Sequence, residues 1–187
     1  MDSGVATRPI KDFNAYVQSL NEFVYHSGLI MKPVFTAAKK NPKRIVYAEG
    51  EDERVLRAVQ VVLDEGIAKP ILVGRPQVIE QRIERAGLRL KAGEDFEIIN
   101  PDYDPRFKEY WSEYHRLMER KGVSVDYAKR EVRRRSSLIS AMTVRLGYAD
   151  GMICGTFGRH QLHRFYVSNI IDLEPGATSY YAMQALS

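Results

Sequence analysis

A chain of 187 residues is long enough for one domain with an appendage. Apolar residues make up 44% and aromatic residues 10%, which excludes a disordered chain, and no apolar run reaches the roughly 20 residues needed to span a bilayer. The formal charge of +4 permits an anionic ligand without naming one, and the single cysteine, Cys154, excludes an internal disulfide framework and a CxxC metal site.

The first ten residues, broken by Gly4 and Pro9, read as an arm, and they lack the basic-then-apolar order of a signal peptide. With the lone cysteine this predicts a cytoplasmic protein. Phe13, Tyr16, Val17, Leu20 and Val24 have the spacing of an amphipathic helix, predicted to stop at Ser27-Gly28. A second short helix is predicted over residues 29–40, with Pro33 near its first turn and Pro42 beyond its end. Then the pattern changes. A β-rich run at 44–48 leads into a helix at 52–65, closed by Gly66. A strand at 70–74 leads into a helix at 76–86, opened by Pro76 and closed by Gly87. A third strand spans 96–99. Helices follow at 105–121 and, capped by Ser124, in one long run to 146. A fourth strand at 150–154 precedes a helix at 159–171 and the Pro175-Gly176 turn.

This alternation predicts an α/β fold: a mainly parallel sheet with helices on both faces and right-handed crossovers, preceded by a helical arm. The expected division is residues 1–40 for linker and arm, and 41–187 for the α/β domain. The last residues, Tyr180-Tyr181-Ala182-Met183-Gln184-Ala185-Leu186-Ser187, are apolar and carry no terminator. A polar, fraying end is the usual finish, so the α/β domain is expected to be incomplete and the chain to be part of a larger unit.

Ligands of open parallel sheets bind beyond the carboxyl ends of the strands, which singles out the loops at 49–53, 74–76, 100–106 and 155–160. The first contains Glu49, Glu51, Asp52 and Glu53 around Gly50. A dinucleotide fold needs glycines here, so that backbone N–H groups can cradle pyrophosphate; four carboxylates would repel it, which excludes an NAD(P) site or a P-loop at this strand. The carboxylates suit the positive end of the next helix; a metal or catalytic cluster is the other reading. The fourth loop, Gly155-Thr156-Phe157-Gly158-Arg159-His160-Gln161-Leu162-His163-Arg164, combines two glycines with cationic groups at a helix start. That pattern points to a phosphate- or carboxylate-bearing ligand, against the alternative of a plain turn and a basic helix face. His160 and His163 could share a metal by spacing, but no third ligand lies nearby, and no metal site is expected.

The run Lys129-Arg130-Glu131-Val132-Arg133-Arg134-Arg135 reads as a solvated basic face, with a grip on nucleic acid or on the phosphates of a nucleotide-like cofactor as the alternative. Phe107, Tyr110, Trp111 and Tyr114 have helical spacing and read as core. Cys154, at a strand end, reads as an inert buried thiol. Loop and helix geometry nominates Gly155, Thr156, Arg159, His160, His163 and Arg135 as ligand contacts.

Three stretches carry a family resemblance. Asp2-Ser3-Gly4-Val5-Ala6-Thr7-Arg8-Pro9-Ile10, with Tyr16 and the segment Phe23 to Met31, resembles the junction in bacterial hybrid NADP-dependent malic enzymes, where a malic-enzyme part is joined to a phosphate-acetyltransferase-like module. Ile45-Val46-Tyr47-Ala48-Glu49-Gly50-Glu51-Asp52-Glu53-Arg54-Val55-Leu56-Arg57 is similar to the opening of that module. Tyr148-Ala149-Asp150-Gly151-Met152-Ile153-Cys154-Gly155 resembles its Ala-Asp-Gly strand. The resemblance implies a phosphate acetyltransferase-like, isopropylmalate-dehydrogenase-like fold. It also implies an accessory acetyl-CoA-sensing and oligomerisation module of an enzyme that oxidatively decarboxylates malate to pyruvate. The NADP and the divalent metal (Mg or Mn) of such an enzyme would sit before the junction, and the family's catalytic serine, arginine and aspartate beyond Ser187. No catalytic residue and no resident cofactor is therefore expected in this segment.

The implied partners are acetyl-CoA or a related acyl-CoA, the malic-enzyme catalytic domain and further copies of the chain, with no nucleic acid and no membrane. One departure stands out. The family's loop arginine falls on Phe165, and its small hydroxyl positions fall on Arg159, His160 and His163. Bulky cations there would crowd acetyl transfer without preventing the binding of an acyl-CoA. Phosphate acetyltransferase activity, moving acetyl between CoA and phosphate, and a purely structural assembly role are the alternatives.

Overall fold

A computed structural model describes residues 12–180, with the side chains of residues 18–30 left aside. The arm expected at residues 1–10 and the apolar end at 181–187 lie outside the described residues. The chain divides into two units; one spans residues 38–181 and carries the sheet, and α1 up to residue 37 belongs to the other.

Helix α1 (Phe13–Lys40) is one continuous helix, not the two predicted. A single glycine costs about 1 kcal/mol in a helix interior and an isolated proline about 3 kcal/mol. Neither is a stop unless turn-forming residues follow, and Leu29-Ile30-Met31 after Gly28 form no turn.

The sheet holds four parallel strands in the order β3-β2-β1-β4: β1 (Lys43–Tyr47), β2 (Ala68–Val73), β3 (Glu97–Ile99) and β4 (Gly151–Ile153). This is the mainly parallel α/β architecture that the alternation predicts. Helices α2 (Glu53–Glu65) and α3 (Pro76–Arg85) make the crossovers outward from β1 to β2 and β3. The chain then returns through α4 (Phe107–Met118), α5 (Val125–Arg134) and α6 (Ser136–Arg145) to place β4 on the other side of β1, and α7 (His160–Ile170) follows. Reversing direction with one crossover hand moves the helices to the opposite face. It also leaves a crevice beyond the carboxyl ends of β1 and β4, the topological switch point.

Alternation along the strands builds two cores. Val46, Ile71 and Val73 point to the face covered by α4 to α7, where Tyr110, Tyr114, Leu138, Met142 and Ile170 are buried. Tyr47 and Leu72 point to the other face and meet Leu56, Val59, Ile79 and Ile83 of α2 and α3. Tyr110 and Tyr114 are core, as their spacing predicts, while Phe107 and Trp111 are only half-buried.

The long helix predicted from Ser124 to 146 is broken. Arg135 is extended (φ −121°, ψ 97°), ending α5 and capping α6, whose Leu138 and Ile139 amides donate to its carbonyl. The Ser136-Ser137 pair, weak helix formers better suited to helix starts, is the local cue. The break lets Ser137 meet a histidine of α7.

Candidate functional site

Two hollows open near the switch point. The first, about 360 Å³, lies beyond β4 and along α7, lined by Cys154, Gly155, Gly158, His160, His163, Arg164 and Tyr180, among others. The second, about 340 Å³, lies at the carboxyl ends of β1 and β2, lined by Glu49, Asp52, Gly74, Arg82, Arg133, Arg134, Ser136 and Phe157, among others.

The carboxylates after β1 take three different roles. Asp52 caps α2, accepting the Arg54 amide at 2.9 Å, and the Arg54 guanidinium holds its carboxyl below the ordinary range. Glu51 accepts the backbone N–H and the guanidinium of Arg75, each at 2.9 Å, and is lowered by that pairing. Glu49 is buried and reaches across the switch point. It accepts the Gly155 amide at 3.0 Å and the Thr156 hydroxyl at 3.5 Å. The positive end of α2 therefore accounts for Asp52, its cap, and for Glu53, which stands in its first turn paired with Arg57 at 2.7 Å, but not for Glu49 and Glu51. Among the described residues no group of three or more His, Cys, Asp or Glu side chains is placed to hold a metal ion.

The cationic loop is more constrained than its composition suggests. Both nitrogens of His163 are engaged: Nε2–H donates to the Phe157 carbonyl at 2.9 Å, and Nδ1 is hydrogen-bonded to the Ser137 hydroxyl at 2.6 Å. His163 is thus a brace between loop, α6 and α7, although its ring also borders the first hollow. Gly155 (φ 99°) and Gly158 (φ 98°) occupy the left-handed region that favours glycine. A Cβ on Gly158 would also stand 3.0 Å from His163 Nε2. His160, in the first turn of α7, is exposed and borders the first hollow.

Arg159 caps α7 through its backbone and is exposed, but lines neither hollow; Thr156 is turned to Glu49. Arg135 lies apart. Its Nε meets Glu131 at 3.3 Å, Glu131 also accepts the Tyr166 hydroxyl, and burial together with Glu131 raises the Tyr166 pKa. The structure thus gathers Gly155, His160 and His163 around one hollow and leaves Thr156, Arg159 and Arg135 outside it. It adds Arg164, Val167, Ser168 and Tyr180. Residues near 164–168 follow from one helical turn beyond His163; Tyr180 has no local signal.

Cys154 is half-buried rather than buried. Burial, then the charge of Glu49, pushes its thiol up, which keeps it protonated and a poor nucleophile. The basic run of α5 stacks on the aromatic stripe: Lys129 Nζ lies 4.8 Å from the Trp111 ring centre and the Arg133 guanidinium 4.4 Å from that of Phe107. Arg133 and Arg134 also reach the second hollow. The expectation of a solvated face therefore holds only for part of this run.

Residues 29–186 match the phosphate acetyl/butaryl transferase family. The chain is 52% identical over 186 residues to the NADP-dependent malic enzyme of Salmonella typhimurium, covering 100% of this chain and 24% of that protein. It is also 52% identical over 186 residues to the NAD-dependent malic enzyme of Rhizobium meliloti, with 99% and 24% covered. A phosphotransacetylase from Streptococcus pyogenes superposes with a TM-score of 0.69 at 25% identity, over 80% of this chain and 45% of that one. The chain thus spans about a quarter of the length of the malic enzymes it matches.

Proposed function

The chain belongs to the phosphate acetyl/butaryl transferase family, and from that premise we propose that it is the accessory module of a malic enzyme, binding acetyl-CoA as a regulatory ligand and contributing to oligomer assembly. The observation that carries this reading is the open hollow beyond β4, where glycine backbone meets His160 and Arg164. A thioester end fits a mostly apolar recess, and the basic rim suits the anionic remainder of the ligand.

Several features favour binding over acetyl transfer. His163 has both ring nitrogens engaged, the Cys154 thiol is held protonated, and the resemblance places Arg159 and the bulky His160 and His163 rings where the family has small hydroxyls. The parent reaction, decarboxylation of malate to pyruvate with a nicotinamide nucleotide and a divalent metal, is part of the proposal. Relatives of equal identity use different nucleotide names, so NADP enters only as the expectation drawn from the resemblance. The acidic loop after β1 is not the glycine-rich turn that cradles a dinucleotide.

The test uses the full-length product of the reading frame that encodes these residues. Acetyl-CoA is expected to change the rate of malate-dependent nucleotide reduction, because a ligand regulates when it binds two states unequally. A rate indifferent to saturating acetyl-CoA would overturn the regulatory reading. Family membership and the solved phosphotransacetylase favour one alternative, acetyl transfer between CoA and phosphate. Phosphate-dependent release of CoA thiol, measured in the same preparation, would establish it.

A further inference from the structure

The loop 155–159 is the common wall of the two hollows. Gly155 and Gly158 border the one beside α7, while Phe157 borders the one at the ends of β1 and β2. The wall is held at three points. At one, buried Glu49 accepts the Gly155 amide and the Thr156 hydroxyl. At another, His163 Nε2–H donates to the Phe157 carbonyl, and the Ser137 hydroxyl, bonded to Nδ1, holds the ring in the orientation that reaches it. At the third, the exposed Arg54 guanidinium donates to the Thr156 carbonyl at 3.2 Å. Little else fixes the wall: the Phe157 side chain is 61% exposed and belongs to neither core. Segments with few buried apolar contacts open locally at low cost, and two left-handed glycines can absorb the backbone change.

We propose that the loop 155–159 is a gate, latched by Glu49, His163 and Arg54 and hinged at Gly155 and Gly158, whose opening joins the two hollows into one cleft for an acyl-CoA. The gate stands on geometry alone; its use by an acyl-CoA rests on the preceding reading. Drug-sized ligands occupy pockets of roughly 300–1,000 Å³. An acyl-CoA is larger than such ligands, and each hollow by itself, at about 360 and 340 Å³, lies near the bottom of that range. The second hollow can take the phosphates. Glu51 is paired with Arg75 and Asp52 with Arg54, so Arg82, Arg133 and Arg134 face Glu49 as the one carboxylate of the wall without an ion-pair partner among the described residues, which leaves that wall a cationic surplus.

Hydrogen exchange at the Gly155 amide, followed by NMR in the 187-residue protein, reads the gate directly, because that amide is bonded to Glu49 only while the loop is shut. Exchange through local opening should be insensitive to low denaturant. Exchange rising with denaturant in parallel with Val46 and Leu72 of the core would overturn the gate. Ser137→Ala, which does not touch Gly155, should speed its exchange roughly fivefold by weakening the second latch; an unchanged rate in the folded variant would also overturn it. If that variant does not fold, the denaturant dependence of the wild type still decides. For the joined cleft, Arg134→Ala should weaken acetyl-CoA but not acetyl-pantetheine, which lacks the phosphates. Equal effects on both ligands, or none on either, would overturn the bridging. Absence of any acetyl-CoA binding would overturn the proposed function and leave the exchange result untouched.

Discussion

Glu113 and Glu49 illustrate how differently two carboxylates can be used. Glu113 lies between Arg116, at 2.7 Å, and Arg145, at 2.9 Å. The Arg116 guanidinium, against an opposing effect of burial and with help from Arg145, holds the Glu113 carboxyl at about 2, well below its ordinary 4.5. A depressed acid stabilises the folded state above its unfolded pKa and loses that contribution as pH falls toward the folded value. Between pH 4.5 and 2, wild-type stability should therefore fall more steeply than that of Glu113→Gln. Near neutrality the variant should be less stable by roughly 1–3 kcal/mol, as expected for charge-assisted bonds. Urea denaturation at a series of pH values reads both; parallel pH profiles would contradict the assignment. Glu49 instead accepts from an amide 106 residues further along the chain. A carboxylate next to Gly50 is visible in the sequence, but its partner is not, because only the sheet order brings the two loops together. The same limit applies to Ser137 and His163, which the break at Arg135 allows to meet.

At the scale of elements, the alternation of strand and helix was legible because burial on both sheet faces demands short apolar runs, and the crossovers demand amphipathic helices between them. The positions of the candidate loops followed from the same rule. What local pattern could not decide was continuity: whether Gly28 and Pro33 end a helix, and whether the serines at 136 and 137 interrupt one. Both outcomes depend on a few kcal/mol of local preference. Gly50 is a further case, since its need for glycine comes from packing rather than from its own backbone angle. A Cβ there would meet Leu72 Cβ and the Val73 carbonyl oxygen, both at 2.8 Å. Two of the three nearest atoms are backbone and cannot turn aside. Gly50→Ala should therefore lower stability by about 1–3 kcal/mol. It should also displace the loop that carries Glu49, speeding exchange at Gly155. A urea midpoint equal to that of the wild type would show that β2 gives way more easily than its hydrogen-bonded position implies.

For the whole molecule, the informative feature is where the sheet reverses direction. The reversal between β1 and β4 places a carboxylate loop and a glycine-hinged cationic loop side by side, and the two hollows border them. Among the described residues no helix is long and apolar enough to cross a membrane. Ligand binding at such a crevice can influence a larger assembly only through a difference in affinity between two of its states. The most direct measurement is a calorimetric titration of acetyl-CoA into the full-length protein, wild type beside Arg164→Ala. An acyl-CoA site in the hollow beside α7 predicts saturable binding that Arg164→Ala weakens by about tenfold, the scale of one lost charge-assisted contact. Binding of equal strength in the two proteins would contradict it, as would no binding in the wild type.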